Sequence, residues 1–178
     1  MTPTRFEIRL ADVSDAALIA SHRARMFQEM GLVPESIFET YRVRCETRIY
    51  EMLQSGEYVG WLAWPNEFRN TIVAGVGVQL RRVLPHPVGE PGGEITIAEG
   101  RHAIVINVFT KPDWRRRGLA TFLMERLIDW ARAERLDRLV LHASEEGRVV
   151  YERLGFIQTN EMRFKGRLDI SEVGQGRK

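Results

Sequence analysis

PDWRRRGLATFLMERLIDWARAE (Pro112–Glu134) is the stretch on which the reading of this chain turns. Three consecutive arginines and a glycine stand at the mouth of a strongly amphipathic helix. Aligned peptide dipoles leave partial positive charge at a helix N-terminus, so a cation there is unfavourable by about 0.3–1 kcal/mol. Glycine inside a helix costs about 1 kcal/mol against alanine. A glycine-bearing turn between a buried strand and a helix is also the geometry that holds a phosphate. Successive backbone N–H groups point outward there, and the dipole favours an anion. Gly118 lets the backbone approach such a ligand closely, and Arg115, Arg116 and Arg117 make sense once a multiply charged anion neutralises them. The alternative is a solvated run of surface charge. The stretch is neither a G-x-x-x-x-G-K-[ST] loop nor a G-x-G-x-x-G fingerprint.

The segments on either side fit this picture. HAIVINVF (His102–Phe109) is a continuous apolar run, as expected of a central strand buried on both faces. DRLVLHA (Asp137–Ala143) is a second strand, and the unit from 102 to 143 should be a right-handed parallel crossover. EEGRVVYERLGF carries a short helix, and FIQTNEMRFKG a last strand. Upstream, RFEIRLA (Arg5–Ala11) alternates Phe6, Ile8 and Leu10 with charge and reads as a half-buried strand. A helix follows, capped by Ser14 or Asp15, with Ala16, Ile19, Ala20, Phe27 and Met30 on one face and Gly31 as its stop. Pro34 opens a second helix over roughly Glu35–Gln54, with Ile37, Tyr41, Ile49 and Leu53 apolar. Glu57–Trp64 and Thr71–Leu84 form an antiparallel hairpin, in which Gly75–Gly77 marks a bulge. The Pro- and Gly-rich Pro85–Arg101 reads as a loop. The order β-α-α-β-β-β-α-β-α-β is α+β, a mixed central sheet with helices on both faces.

Composition narrows the function classes. A length of 178 residues suits one domain, with its core over about 5–165 and a polar tail over 166–178. A net charge of +2 gives no global case for a nucleic-acid binder. A lone Cys45 excludes an internal disulfide and fits a reducing cytoplasm. The opening MTPTRFEIRLADVSD has no long apolar run, so no signal peptide is expected, and no stretch approaches the roughly 20 apolar residues of a membrane span. His22, His86, His102 and His142 lack ligand spacing and H-E-x-x-H is absent, so no metal is expected. Without G-x-S-x-G, an α/β serine hydrolase is disfavoured.

INVFTKPDWRRRGLAT followed by YERLGF resembles the GNAT superfamily of acyl-CoA-dependent N-acyltransferases. The family signature [Q/R]-x-x-G-x-[G/A] is met by Arg115, Gly118 and Ala120, and Pro112 holds the proline position three residues before it. The resemblance spans roughly Arg5 to Lys165 and is strongest from Val105 to Phe156. It implies that Arg115–Thr121 (Arg115, Arg116, Arg117, Gly118, Leu119, Ala120 and Thr121) wrap the pyrophosphate of acetyl-CoA. It also implies that Val108, Phe109 and Thr110 offer main-chain groups to the pantetheine arm where the strand splays from its neighbour. An amide there, that of Val108 or Phe109, would polarise the thioester carbonyl.

Tyr151 matches the tyrosine with which many members protonate the departing thiolate; as a bare helix aromatic it would simply pack beside Leu154 and Phe156. Ser144 caps the short helix and is a candidate coenzyme contact. Arg148 is a further phosphate contact or a solvated arginine.

The resemblance thins at the general base, because AIVINVF carries no carboxylate. Asn107 orients substrate or a water, or is simply a hydrogen-bonded polar residue. His142 and Glu29 are candidate proton acceptors, His142 equally a satisfied core residue; an amine delivered neutral through water is the other route. Met26, Phe27, Met30 and Tyr41 read as core before acceptor pocket, and the four tryptophans form no recognisable stacking platform. Cys45 lies away from the motif. The leading expectation is an enzyme that transfers acetyl from acetyl-CoA to a small-molecule or peptide amine in a ternary complex. A catalytically silent acyl-CoA-binding module of the same fold is the second. Nucleic-acid binding through Arg115–Arg117 and Arg163–Arg167 is the weakest, for want of a broad basic face. A homodimer is expected only by family analogy.

Overall fold

The computed structural model describes residues 6–68, 71–89, 92–159 and 161–162. Five strands form one mixed sheet in the order β1-β2-β3-β6-β7. They are β1 (Phe6–Leu10), β2 (Tyr58–Pro65), β3 (Ala74–Arg82), β6 (Arg101–Thr110) and β7 (Arg138–Leu141). β1–β2, β2–β3 and β3–β6 are antiparallel, while β6–β7 is parallel. The crossover that makes β6 and β7 parallel is α3 (Leu119–Ala133), which lies on one face of the sheet with α4 (Glu145–Arg153) close by. Helices α1 (Ala16–Glu29) and α2 (Glu35–Ser55) cover the other face.

Side-chain period explains the two cores. Leu119, Leu123, Met124 and Leu127 recur at helical spacing and are fully or nearly fully buried against Val76, Val78 and Ala103. On the opposite face Ile19, Ala20, Ile49 and Met52 enclose Tyr58 and Leu62. A bulge falls where β3 passes from Gly77 to Val78. Gly77 opposes Asn107 and Val78 opposes Val105, so Ile106 is the extra residue. One extra residue reverses the alternation. Ala103 and Val105 therefore face α3, whereas Asn107 and Phe109 face α1. Close approach explains the glycines nearby. Gly60 and Gly77 are register partners, and the Tyr58 ring lies over both. A Cβ on Gly77 would fall 1.9 Å from the Tyr58 hydroxyl, and one on Gly60 2.7 Å from its ring.

Several expectations are corrected. α1 is preceded by a 3-10 turn (Val13–Asp15) capped by Asp12, whose side chain accepts from the Ser14 N–H while Asp15 returns a bond to the Asp12 N–H. Ser14 does not cap α1; Asp15 stands at its N-cap position but makes no side-chain cap bond, its carboxylate being buried in a bidentate pair with Arg9 at 2.6 and 2.8 Å. Met30, Ile37 and Leu10 are exposed, since Met30 lies beyond the end of α1, and α2 and β1 are only partly covered there. The Pro- and Gly-rich segment is no plain loop, for β4 (His86–Val88) and β5 (Thr96–Ala98) pair in a small antiparallel ribbon. No strand is found at 156–159 or 161–162. The remainder of the expected last strand, and the tail, lie outside the described residues.

Candidate active site

β7 pairs with β6 only from His102 to Val105. Beyond that point Ile106–Thr110 keeps β3 on one side and, among the described residues, has no strand on the other. The main chain of Val108, Phe109 and Thr110 is thus open along one edge, because four-residue β7 stops early.

The chain then turns through Pro112–Trp114, a 3-10 turn, into α3. Gly118 is the N-cap at φ 80°, with no side chain capping the helix. Phe122 makes the first backbone bond of α3, to the Gly118 carbonyl at 2.9 Å, so the N–H groups of the first turn have no partner within the helix. A Cβ built on Gly118 meets nothing within 4 Å. Arg116 sits at φ 59°, a left-handed conformation that disfavours an L side chain by roughly 1–2 kcal/mol. Strain of this kind collects at ligand-binding turns.

The arginines divide their work. The Arg115 Nε donates to the Thr110 carbonyl at 3.0 Å, and its guanidinium pairs with the Glu29 carboxylate at the end of α1. The Arg117 guanidinium donates to the Asp113 carbonyl at 3.0 Å and lies 4.7 Å from the Trp114 ring centroid. Arg116 is exposed and has no partner among the described residues. Two of the three cations thus hold the turn in shape, leaving Arg116 and the backbone N–H groups from Arg116 to Thr121 without partners among the described residues. Leu119 contributes only main chain, its side chain being core, while Ala120 and Thr121 are half-buried in the first turn.

Tyr151 is half-buried on α4, edge-on to Phe156 at 6.1 Å. It packs with Val108 and Trp114 against the α3-side core. Burial pushes its phenol above the ordinary value of 10. Ser144 is the N-cap of α4, accepting from the Gly147 N–H at 3.2 Å. Arg148 is exposed.

Asn107 and the two candidate bases, Glu29 and His142, are engaged or displaced. Asn107 is buried, its Oδ1 accepting from Arg23 at 2.8 Å and its Nδ2 donating to the Tyr58 hydroxyl at 3.3 Å. Glu29 is held by Arg115. His142 lies just past β7, exposed and 3.9 Å from Glu161, so it is not a core histidine. Phe27 and Tyr41 meet edge to face at 5.9 Å, half-buried, so neither is full core. Two tryptophans do pair: Trp61 and Trp130 cross edge to face at 5.5 Å between β2 and α3. Arg23, which also donates to the Ile106 carbonyl at 2.9 Å, escaped the sequence reading. Its partners lie 83 and 84 residues away, and no local pattern announces them.

The acetyltransferase (GNAT) family profile matches residues 23–156. This chain belongs to that family. GNAT proteins use acetyl-CoA as acyl donor. A GCN5-related N-acetyltransferase from Ralstonia eutropha superposes with a TM-score of 0.75 at 26% identity, covering 90% of this chain and 97% of its own. A predicted acetyltransferase from Clostridium acetobutylicum, solved with acetyl-CoA, gives 0.73 at 26% identity, covering 91% and 96%. An aminoglycoside N-acetyltransferase solved with CoA shares the fold at 16% identity, with a TM-score of 0.62 and coverage of 93% and 96%. No curated protein matches the chain. As a GNAT protein the chain carries the mixed sheet, the early-ending parallel neighbour and the signature turn.

Proposed function

We propose that this chain is an N-acetyltransferase that moves an acetyl group from acetyl-CoA to a primary amine, by direct attack with both substrates bound. The observation that carries the reading is the open edge of β6 beside a strained turn whose N–H groups from Arg116 to Thr121 have no partner among the described residues. In this reading the pyrophosphate meets the N–H groups of Arg116–Thr121, with Arg116 as the free cation and Arg115 and Arg117 as braces. Acetyl-CoA supplies the acyl group and a thiolate leaving group. The open main chain of Val108–Thr110 pairs with the pantetheine arm, and the Val108 or Phe109 amide stabilises charge developing on the carbonyl oxygen.

Tyr151 gives its proton to the departing sulfur. A phenol is ordinarily a weaker acid than a thiol, by about 1.5 pKa units. The buried setting that raises the phenol also raises the proton affinity of the sulfur, because desolvation disfavours both anions. Ser144 orients α4 through its cap. With Glu29 and Asn107 engaged, we assign the proton lost by the amine to water, with the amine entering neutral. The acceptor class is a small-molecule or peptide amine, and we treat residues 1–178 as one domain.

Calorimetric titration with acetyl-CoA, followed by an amine screen for release of free thiol, tests the proposal. Micromolar binding with turnover on at least one amine is the expected result. Binding without turnover on any amine would leave a silent acyl-CoA module, and no binding would overturn the coenzyme site.

A further inference from the structure

The end of β6 that has lost its β7 partner is met by an arginine of α1. Arg23 donates through Nη1 to the Ile106 carbonyl at 2.9 Å and to Asn107 Oδ1 at 2.8 Å. A strand rises about 3.3 Å per residue, so the guanidinium stands roughly 8–12 Å from the Val108 and Phe109 amides, where acetyl transfer would place the thioester carbonyl. That gap suits an α-amino acid. It leaves room for a hydrogen bond of about 3 Å at each end and an attack distance of about 3–3.5 Å between amine and carbonyl. α1 follows the strand further, for the His22 ring stacks on Phe109 with centroids 4.6 Å apart.

Arg23 is half-buried and has no carboxylate partner among the described residues. Its Nε and Nη2 carry no hydrogen bond to a carbonyl or carboxylate among them. The guanidinium lies 4.8 Å from the Phe27 ring centroid. Burial raises the Tyr41 phenol, and the nearby Arg23 charge partly offsets the rise. The acidic residues of α1 and α2 are committed elsewhere. Glu29 holds Arg115, Glu35 accepts from Gln28, and Glu39, Glu46 and Glu51 pair with arginines of α2. Arg42 shows the contrast, being half-buried like Arg23 yet flanked by two carboxylates. His22 adds no charge beside Arg23. Burial, with a smaller push from the Lys111 ammonium, brings its pKa down to about 4, so the ring is neutral near pH 7.

A partly desolvated cation with no counter-charge is costly, and an arriving anion removes the cost. Nε and Nη2 form the side-on edge of the guanidinium, whose two parallel donors match the two oxygens of a carboxylate. One cation also balances one negative charge. We propose that Arg23 binds a carboxylate of the acceptor, and that the acceptor is an amino acid. The proposal rests on the acetyl-transfer reading above and narrows its acceptor class. It disfavours polycationic amines, which a fixed cation beside the reacting centre repels.

The test screens the common L-amino acids as acceptors beside spermidine and kanamycin. For each amino acid that turns over, kcat/KM is compared with that of its carboxamide in the wild type, Arg23→Gln and Arg23→Lys. The carboxamide keeps the amine and side chain and loses the α-carboxylate. The two amines differ in basicity, so the quantity to read is the change in their ratio on substitution, in which basicity cancels. Losing the grip on β6 lowers both alike and leaves the ratio where it was; losing a carboxylate contact lowers the amino acid alone. Arg23→Gln should reduce the ratio about ten- to hundredfold. Arg23→Lys keeps a point charge without the fork and should reduce it less; it carries the comparison if melting curves show Arg23→Gln unfolded. An unchanged ratio overturns the proposal, as does turnover confined to spermidine, kanamycin or other amines without a carboxylate. A protein that turns over no amine counts against acetyl transfer, and titration of the same amino acids into protein saturated with CoA then decides the anion site. Binding of an amino acid that weakens about tenfold or more in the folded variant supports it, and no binding overturns it.

Discussion

Replacing Gly118 with Glu tests the coenzyme turn where it is most exposed to test. The new Cβ meets no protein atom within 4 Å, so there is no clash to unfold the chain. The φ of 80° costs a non-glycine residue roughly 1–2 kcal/mol. A carboxylate at the start of α3 returns about 0.3–1 kcal/mol through the helix dipole. The net loss is about 1 kcal/mol, or a Tm lowered by roughly 2–4 °C in a chain of this size, and the variant stays folded. Its effect on an anion is far larger. A carboxylate about 4 Å from a phosphate charge repels it by about 4 kcal/mol at an effective dielectric of 20, close to a thousandfold in Kd. Gly118→Ala separates the two effects, because it shares the backbone strain without the charge. Calorimetric titration with acetyl-CoA, with melting curves alongside, should show binding kept or modestly weakened in Gly118→Ala and abolished in a folded Gly118→Glu. Wild-type affinity in Gly118→Glu would refute the assignment of the turn to pyrophosphate.

Tyr151→Phe keeps the packing against Phe156 and should lower turnover by about 10²-fold or more while leaving acetyl-CoA affinity unchanged; steady-state kinetics beside calorimetry would expose an idle phenol as unchanged turnover. Because the His22 pKa is lowered from 6.5 to about 4, the unfolded chain takes up its proton first as pH falls. Stability should therefore be complete above about 6.5 and decline towards 4, by roughly 3 kcal/mol at most; denaturant melts should show that limb flattened in His22→Phe. Asp15 is held below its ordinary value chiefly by the Arg9 hydrogen bonds, so its contribution is present above the unfolded carboxylate pKa of about 3.9 and is lost only at lower pH; Asp15→Asn should leave the His22 limb intact and weaken the loss below it. Leu123, fully buried, should cost about 2–5 kcal/mol as Leu123→Ala, measured by the same melts, and a change under 1 kcal/mol would mean that α3 is not seated as described.

What could be read from sequence was what depends on neighbours along the chain. The buried run of β6, the amphipathic helix α3 and the serine cap of α4 are local patterns and stand where expected. Gly118 was legible as a turn glycine between strand and helix, but not as a left-handed N-cap outside the helix, where the helix-interior cost does not apply. The division of labour among the arginines was not. Arg115 is drawn away by Glu29, 86 residues earlier, and pairing at that range leaves no periodic trace. The extra residue at Ile106 was likewise hidden, although the glycine pair in β3 hinted at a bulge. It turns Asn107 away from α3 and into the grip of Arg23, so its side chain is engaged within the fold and does not orient substrate. The cap at Asp12 was missed because a 3-10 turn shifts the helix start by one turn.

The tyrosine ring resting on two paired glycines has a consequence for how this chain tolerates change. Gly77 cannot gain even a methyl group while the Tyr58 hydroxyl occupies that space, and Gly60 is scarcely freer. If a smaller residue stood at 58, a methyl group at 77 would help to fill the vacancy, whereas one at 60 would still fall 2.9 Å from the Val76 carbonyl oxygen. Positions 58 and 77 should therefore behave epistatically. Substitutions harmful one at a time become acceptable in combination, and a library randomised at 58 and 77 should yield either an aromatic over glycine or a small residue facing a larger partner, with few sequences in between.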